Sequence, residues 1–511
     1  MEEVTVTRDD YDALPYPSHA YAFTHPDVMA VEAGLRGLAP APVGQARVLE
    51  LGCASGGNLL PIAAALPGSR CVGVDLSPVQ IEEGQRIIAE LGLPNIELIA
   101  ADLTQLGDEI GEFDYVIAHG LYSWVPPPVR EGTLRLLQRH LAPDGVAFLS
   151  FNAYPGFHKR EHLREMMRYH TAAIEGREEA AMQGRALLEF LLANARDKND
   201  ENAHLLKAEL RNTRELSRSY FFHDLLGPYN NAFYFHEFVA DTARYDLQFL
   251  AEAPGKGVVA SLSETAQNAL AGLGDDVIRR EQYIDFLFNT SFRRALVCRA
   301  DRPVSRAIPH DRIRSLFVNS LAVPTKPVTP GSAEPITFTS RYGGTATVEH
   351  PGFRSLLLAL HQSRPAALDF TELHAAIAAQ GVNLDPAELP EMVLSGHDGG
   401  LLELKQRRAV TVTIASDRPR ISPLARLQAR RGIDVVNLRH RPLVIDPIER
   451  ALLARLDGAH DAADLAREVN VEIEAGRLKL PAEAGKGTVE WVQQFVARAL
   501  RRFAQDSMYE G

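Results

Sequence analysis

Three acidic residues stand at or near the ends of short apolar runs: Glu50 in RVLEL, Asp75 in CVGVD and Asp102 in IAAD. Between the first two lies the turn GCASGG, so that Glu50-x-Gly52-x-x-x-Gly56 follows a strand-like segment. A glycine just after a strand lets the backbone bend sharply and approach a ligand, and the next helix points its N–H groups at that ligand. Asp75 comes 23 residues after Gly52. A carboxylate closing a second strand can accept both ribose hydroxyls, one on each oxygen. Asp102 closes the next run, where an adenine amino group is expected. A bare glycine turn would read as a structural bend; the two carboxylates at strand ends make it a nucleoside site. A dinucleotide fingerprint would place glycine at Ala54. A nicotinamide-type oxidoreductase is therefore the weakest reading, and S-adenosylmethionine is the expected cofactor. Asn58, Leu76 and Leu103, beside these residues, complete the expected contact set with Glu50, Gly52, Ala54, Gly56, Asp75 and Asp102.

Such a site needs a sheet to hold it. Apolar runs at 47–51, 71–74, 96–100, 115–118 and 146–151 alternate with helical patterns, which specifies a parallel α/β sheet. Residues from about 160 to 320 lose that alternation and carry helical periodicity, as in 183–196 and 281–297. Residues 322–335 hold four prolines and read as a linker. Beyond it, helical patterns (353–361, 370–380, 451–456, 490–502) mix with a strand-like run at 410–414. The 370–380 helix followed by such a run suggests a winged-helix-like α+β module. The expected division is a lid segment at 1–45, a cofactor domain at 46–158, a mostly helical middle domain at 159–321, the linker, and a C-terminal domain at 336–511. The chain has 511 residues, 46% hydrophobic and 23% charged, the balance of a folded protein. It has no apolar run long enough for a membrane span and no secretory signal. Three cysteines make no disulfide framework, so a cytoplasmic location is expected. The net charge of −12 argues against nucleic acid as a partner of the whole molecule.

VLELGCASGGNLLPIA, VGVDLSPVQIEEG and IAADLTQL resemble class I S-adenosylmethionine-dependent methyltransferases. More specific are DDYDALPYPSHAYAFTHPD, FDYVIAHGLYSWVPPPVRE, LSFNAYPG, EQYIDFLFNTSFRRALVC and LVIDPIERALLARLDG. These are similar to bacterial methyltransferases carrying a methyltransferase regulatory domain, among them rickettsial protein-lysine methyltransferases that modify an outer-membrane surface protein. The resemblance spans nearly the whole chain. It implies a Rossmann-like class I methyltransferase domain, protein lysine as acceptor, and a protein substrate of the surface or outer-membrane kind; the helical middle and C-terminal parts are expected to present the substrate and to mediate a homodimer. The expected rivals are an enzyme acting on a small molecule or peptide natural product, and a non-catalytic protein that senses the cofactor.

Methyl transfer to lysine depends on position and desolvation. The acceptor must first be neutral, which costs ~4–5 kcal/mol at pH 7 from a pKa near 10.4; an apolar, aromatic channel lowers that cost. His119, Tyr122 and Trp124 follow the fourth strand, and Asn152 and Tyr154 follow the fifth. Tyr122, Trp124 and Tyr154 are expected as channel walls. His119 is expected at the cofactor or as a base, with a hydrogen-bonded strand-end role as the alternative. Tyr16, Ser18 and His19 are expected to fold over the cofactor, or simply to pack. His223-Asp224 and His236-Glu237 look like metal ligands, but no H-E-x-x-H or paired-cysteine spacing accompanies them, and no metal is expected. Residues 405–441 hold ten Lys/Arg against Asp417 and Asp434, a basic stretch best read as solvated or paired within the molecule.

Overall fold

The computed structural model describes residues 15–253, 262–328, 334–340, 344–408, 412, 414–481 and 488–510. The five expected strands form: β1 (Arg47–Leu51), β2 (Arg70–Asp75), β3 (Ile96–Ala100), β4 (Phe113–Ala118) and β5 (Leu141–Ala153). They lie parallel in the order β3-β2-β1-β4-β5. Val48 and Leu49, adjacent on β1, enter cores on opposite faces of the sheet, as the period of two requires. Both faces are covered, so β1 and β4 read as nearly continuous apolar runs.

The sheet does not stop at β5. A two-residue strand, β6 (Ala232–Phe233), pairs with the end of β5. β7 (Leu247–Glu252) and β8 (Phe292–Arg299) then extend the edge in the order β5-β8-β7, with β8 antiparallel to both neighbours. This corrects the helical reading of 281–297. The helix there is Val277–Phe288, ended by Asn289 in a left-handed conformation with φ +49°. The next residues, SFRRALVC, put Ala295 and Val297 on one face, and pairing with β5 sets their conformation.

The helical middle part is thus an insertion between strands of one sheet. Helices His158–Thr171, Arg177–Ala193 and Glu201–Thr213 share their own core around Leu163, Met167, Leu188 and Leu206. Residues expected to form one C-terminal domain fall into two cores. One gathers Leu356, Leu360, Phe370, Leu373 and Val393 with Val31 and Leu35 of the N-terminal helix Pro26–Leu35. The other gathers Ile421, Leu452, Leu465, Val492 and Phe503. The helix that suggested a winged helix, Phe370–Ala378, belongs to the first. The linker expected at 322–335 begins as a strand: Val323–Pro324 pairs antiparallel with Ile336–Thr339. The strand expected at 410–414 lies mostly outside the described residues. Among the described residues, no helix is long and apolar enough to cross a membrane.

Candidate active site

A cavity of about 940 Å³ runs along the C-terminal ends of the parallel strands, with Gly52, Asp75, Asp102, His119 and Asn152 on its wall. At one end is the turn after β1. Gly52 takes φ +72° and Ala54 takes φ +49°, a conformation that costs a residue with a side chain about 1–2 kcal/mol. Asp75 holds it: one carboxylate oxygen accepts from Ala54 N–H at 2.8 Å and the other from Ser77 N–H at 2.9 Å. Leu76 and Leu103 line the cavity beside their aspartates. Asp102 accepts from both the N–H and the hydroxyl of Thr104, at 2.9 and 2.8 Å. Gly56 shapes the turn without reaching the cavity; a Cβ there would press on Leu60 and Leu98 at 3.3 Å.

The N-terminal segment lies directly over this turn. Ser18 Oγ accepts from Gly57 N–H at 2.7 Å, and a Cβ on Gly57 would collide with the Ser18 carbonyl at 2.5 Å. Tyr21 N–H donates to Asn58 Oδ1 at 2.9 Å. Asn58 Nδ2 donates to Glu50 Oε1 at 2.8 Å, and His440 Nε2, from the far end of the chain, lies 2.8 Å from Asn58 Oδ1. Since that oxygen only accepts, His440 carries its proton on Nε2. Burial holds its pKa down at about 3.

Glu50 is the most telling residue of the turn. It is 5% exposed, lines the cavity, and its Oε2 has no hydrogen-bond partner. Burial pushes its pKa up to about 8, against the opposing bond from Asn58. An orphaned buried carboxyl oxygen is costly, and a ligand ammonium such as that of S-adenosylmethionine satisfies it. The residues present therefore fit that cofactor. The raised pKa means the protein without ligand binds a proton that its unfolded chain releases above about 4.5. Glu50's contribution to stability is present below that value and is lost as pH rises through about 8. A cationic partner reverses the preference. Binding of S-adenosylmethionine at pH 7 is expected to release up to one proton, read by calorimetry in buffers of different ionisation enthalpy. Glu50→Gln should remove the release; a wild-type heat independent of buffer would refute the pairing.

The rest of the wall draws on three parts of the chain: the turn after β4, the start of β8 and the helical insertion. Trp124, Tyr220 and Phe292 line it, with Asp224 among them. Tyr16 hydroxyl donates to Asp224 Oδ1 at 2.8 Å and its ring stacks on His223 at 4.8 Å. Tyr16, expected at the cofactor, thus attaches to the insertion. Tyr21 spans the middle: its phenol is pushed up to about 12 by burial and by the Asp224 and Glu50 carboxyls. His119 packs edge-on to Tyr21 at 4.2 Å, with Ser150 Oγ 2.8 Å from Nδ1. Burial and Arg294 hold its pKa down at about 3. A nitrogen of such low proton affinity is a poor base for an alkylammonium, so its geometry favours the strand-end role.

Two expected walls lie elsewhere. Tyr122 is fully buried in the core against Phe151, Phe233 and Phe238, its hydroxyl donating to Asp241 at 2.9 Å. Tyr154 stacks on His158 at 4.1 Å and donates to Glu161 at 3.0 Å. Neither reaches the cavity wall. Asn152 does, but its amide donates to Asn230, whose own amide donates to the Asp224 carbonyl. Its visible role is to support Asp224.

His236 sits against Gln282 at 2.9 Å, and among the described residues no cluster of His, Cys, Asp or Glu could hold a metal ion. Much of the basic stretch pairs within the molecule. Arg431 meets Glu83 and Glu90 of the helix Pro78–Leu91 at 2.6 and 2.7 Å, and Lys405 meets Asp27 at 3.5 Å. With His19–Asp434 at 2.6 Å, the Arg431 contacts dock the last domain beside the cofactor domain. Sequence reasoning passed over Tyr21, Tyr220 and His440, and weighed Asp224 only as a metal ligand.

Three family models match the chain: a methyltransferase domain over 48–145, a predicted methyltransferase regulatory domain over 217–299, and a PKMT C-terminal winged helix domain over 417–508. The last falls on the second C-terminal core. An uncharacterized protein of Rickettsia prowazekii (strain Madrid E) is 30% identical over 492 residues, covering 93% of this chain and 88% of that one. An uncharacterized Synechocystis protein is 23% identical over 414 residues, 79% of this chain and 75% of its own. The structure of PKMT2 from Rickettsia typhi in complex with AdoHcy superposes with a TM-score of 0.86 at 26% identity, covering 97% of this chain and 100% of that one.

Proposed function

Because the chain belongs to the S-adenosylmethionine-dependent methyltransferases that carry a methyltransferase regulatory domain, we propose that it methylates the ε-amino groups of protein lysines. The cofactor is S-adenosylmethionine. When bound, it supplies an electrophilic methyl group on a sulfonium sulfur. The lysine acceptor rests on the PKMT name of its relatives and on one observation of this chain. A single cavity joins the cofactor turn to an aromatic wall of Trp124, Tyr220 and Phe292. At about 940 Å³ it is at the upper end of the range for ligand pockets and has room for a second occupant beside the cofactor.

Each residue has a physical task. Asp75 fixes the turn and presents its carboxylate to the ribose. Glu50 receives the cofactor's ammonium, and Asn58 holds Glu50 in place. Trp124, Tyr220 and Phe292 line the acceptor's path and hold its amine in position for transfer. That amine would lose its proton to water and offer its lone pair to the methyl group, released from the sulfonium with the electron pair left on sulfur. His119 moves no proton in this scheme; it packs the floor beneath Tyr21.

The test is transfer of labelled methyl from S-adenosylmethionine into proteins of the source cell's lysate, followed by mass spectrometry. Label on lysines of discrete proteins is expected. Label confined to small molecules would overturn the protein acceptor, and cofactor binding without any transfer would overturn catalysis.

A further inference from the structure

Asp224 occupies a five-residue π-helical segment, Phe222–Leu226, an irregularity that often marks functional sites. It is 8% exposed and lines the cavity. Its backbone is anchored from two sides. Buried Arg164 donates to its carbonyl and to that of Gly227, and Asn230 donates to the same Asp224 carbonyl while accepting from Asn152 at the end of β5. The side chain is therefore held by the sheet as well as by the insertion. Tyr16 takes one position on Oδ1, and a carboxylate offers about four lone-pair sites. The buried indole N–H of Trp124 is directed at Asp224 without making a hydrogen bond of good geometry. Two guanidinium groups act on the carboxylate: Arg160, which is itself paired with Glu209 at 3.0 Å, and Arg164, which donates to backbone carbonyls; Lys159, also on the cavity wall, is exposed.

An acid fixed among Tyr16, Tyr220 and Trp124 is suited to an alkylammonium, which gains from both the carboxylate and the aromatic faces. A hydroxyl or carboxylate acceptor would gain little there or be repelled. We propose that Asp224 is the residue that selects an amine as methyl acceptor, receiving its ammonium and orienting the nitrogen before the proton leaves to water. Asp224 is a positioning residue for the transfer, and the inference rests on the methyltransferase reading above.

Trp124 is one of two tryptophans in the chain, so Trp491→Phe leaves it as the only indole reporter of the cavity. The parent for the test carries that change and is saturated with S-adenosylhomocysteine at pH 8, which keeps added amine away from Glu50. Titration with n-butylammonium chloride, against sodium chloride at equal ionic strength, is compared with n-butanol. The parent is expected to bind the ammonium at least tenfold more tightly than the alcohol. Asp224→Asn should keep S-adenosylhomocysteine affinity and lose that preference, and Asp224→Glu should restore part of it. Equal binding of ammonium and alcohol by the parent, or an Asp224→Asn variant that keeps the preference, would overturn the assignment. Failure of the parent to bind S-adenosylhomocysteine would instead overturn the methyltransferase reading itself. The parent comparison stands even if the asparagine variant does not fold.

Discussion

Asp75→Ala is expected to weaken S-adenosylmethionine binding at least a hundredfold while the sheet stays folded. The ribose hydroxyls would lose two hydrogen bonds to a charged acceptor, each contributing ~1.5–3 kcal/mol. The lower bound, ~3 kcal/mol, is more than two factors of ten in affinity. A second loss acts in the same direction. The carboxylate also accepts from the N–H groups of Ala54 and Ser77, at 2.8 and 2.9 Å. Without it, Ala54 at φ +49° loses the carboxylate that accepts from its N–H, although the Val74 carbonyl still accepts from Gly52 and Cys53 N–H at 2.8 and 3.1 Å, so this second loss is the smaller one. Asp75→Asn separates the two effects. It keeps one carbonyl oxygen for a backbone donor and removes the charge, so its affinity should fall between wild type and alanine. Calorimetry gives the affinities and circular dichroism the integrity of the fold. An alanine variant that binds the cofactor as wild type does would remove Asp75 from the site.

What the sequence disclosed follows from how local the information was. β1 and β3 begin and end where the apolar runs do, because flanking Gly and polar residues punctuate them. The turn GCASGG and its two aspartates were legible for the same reason: strand, bend and acids lie within two successive βαβ units. β8 was not, because its conformation is decided by pairing with β5, whose partners lie about 150 residues earlier. Trp124 and Tyr122 show the limit at closer range. Two residues apart in one turn, they are equally aromatic, yet one lines the cavity and the other completes a core with Phe151 and Phe238. His440 lies 382 residues from Asn58, and no spacing rule links a C-terminal loop to a cofactor turn. Asp224 gave a visible signal, an acid beside a histidine, but its meaning depends on Tyr16 arriving from 208 residues away.

Arg293→Met is expected to be the most destabilising single change in the region matched by the regulatory-domain model, at ~3–5 kcal/mol, the range for breaking a buried ion pair from one side. Arg293 is 2% exposed on β8. Its guanidinium reaches Asp285 at 3.1 Å, Glu252 on β7 at 3.1 Å and Glu281 at 2.9 Å, and lies 4.1 Å from the Phe235 ring centroid. One cation thus ties the two strands that complete the sheet to the helices that cover them. Methionine fills much of the same volume but takes from Asp285, 1% exposed, the guanidinium that donates to both of its oxygens at 3.1 Å. Arg293→Lys keeps a charge and loses the fork that serves three carboxylates at once, so it should fall between the two. The effect is best read locally, by amide hydrogen exchange across β7 and β8. At 1.4 kcal/mol per tenfold, the methionine variant should exchange there ~100- to 4,000-fold faster. Because β8 pairs with β5 along six residues, and β5 carries Asn152 into the cavity, loosening should spread to the cofactor site and lower affinity although Arg293 touches no ligand. Wild-type protection on β7 and β8 in the methionine variant would show that the packing of Phe235, Val297 and Phe249, and not the buried cation, holds this edge of the sheet.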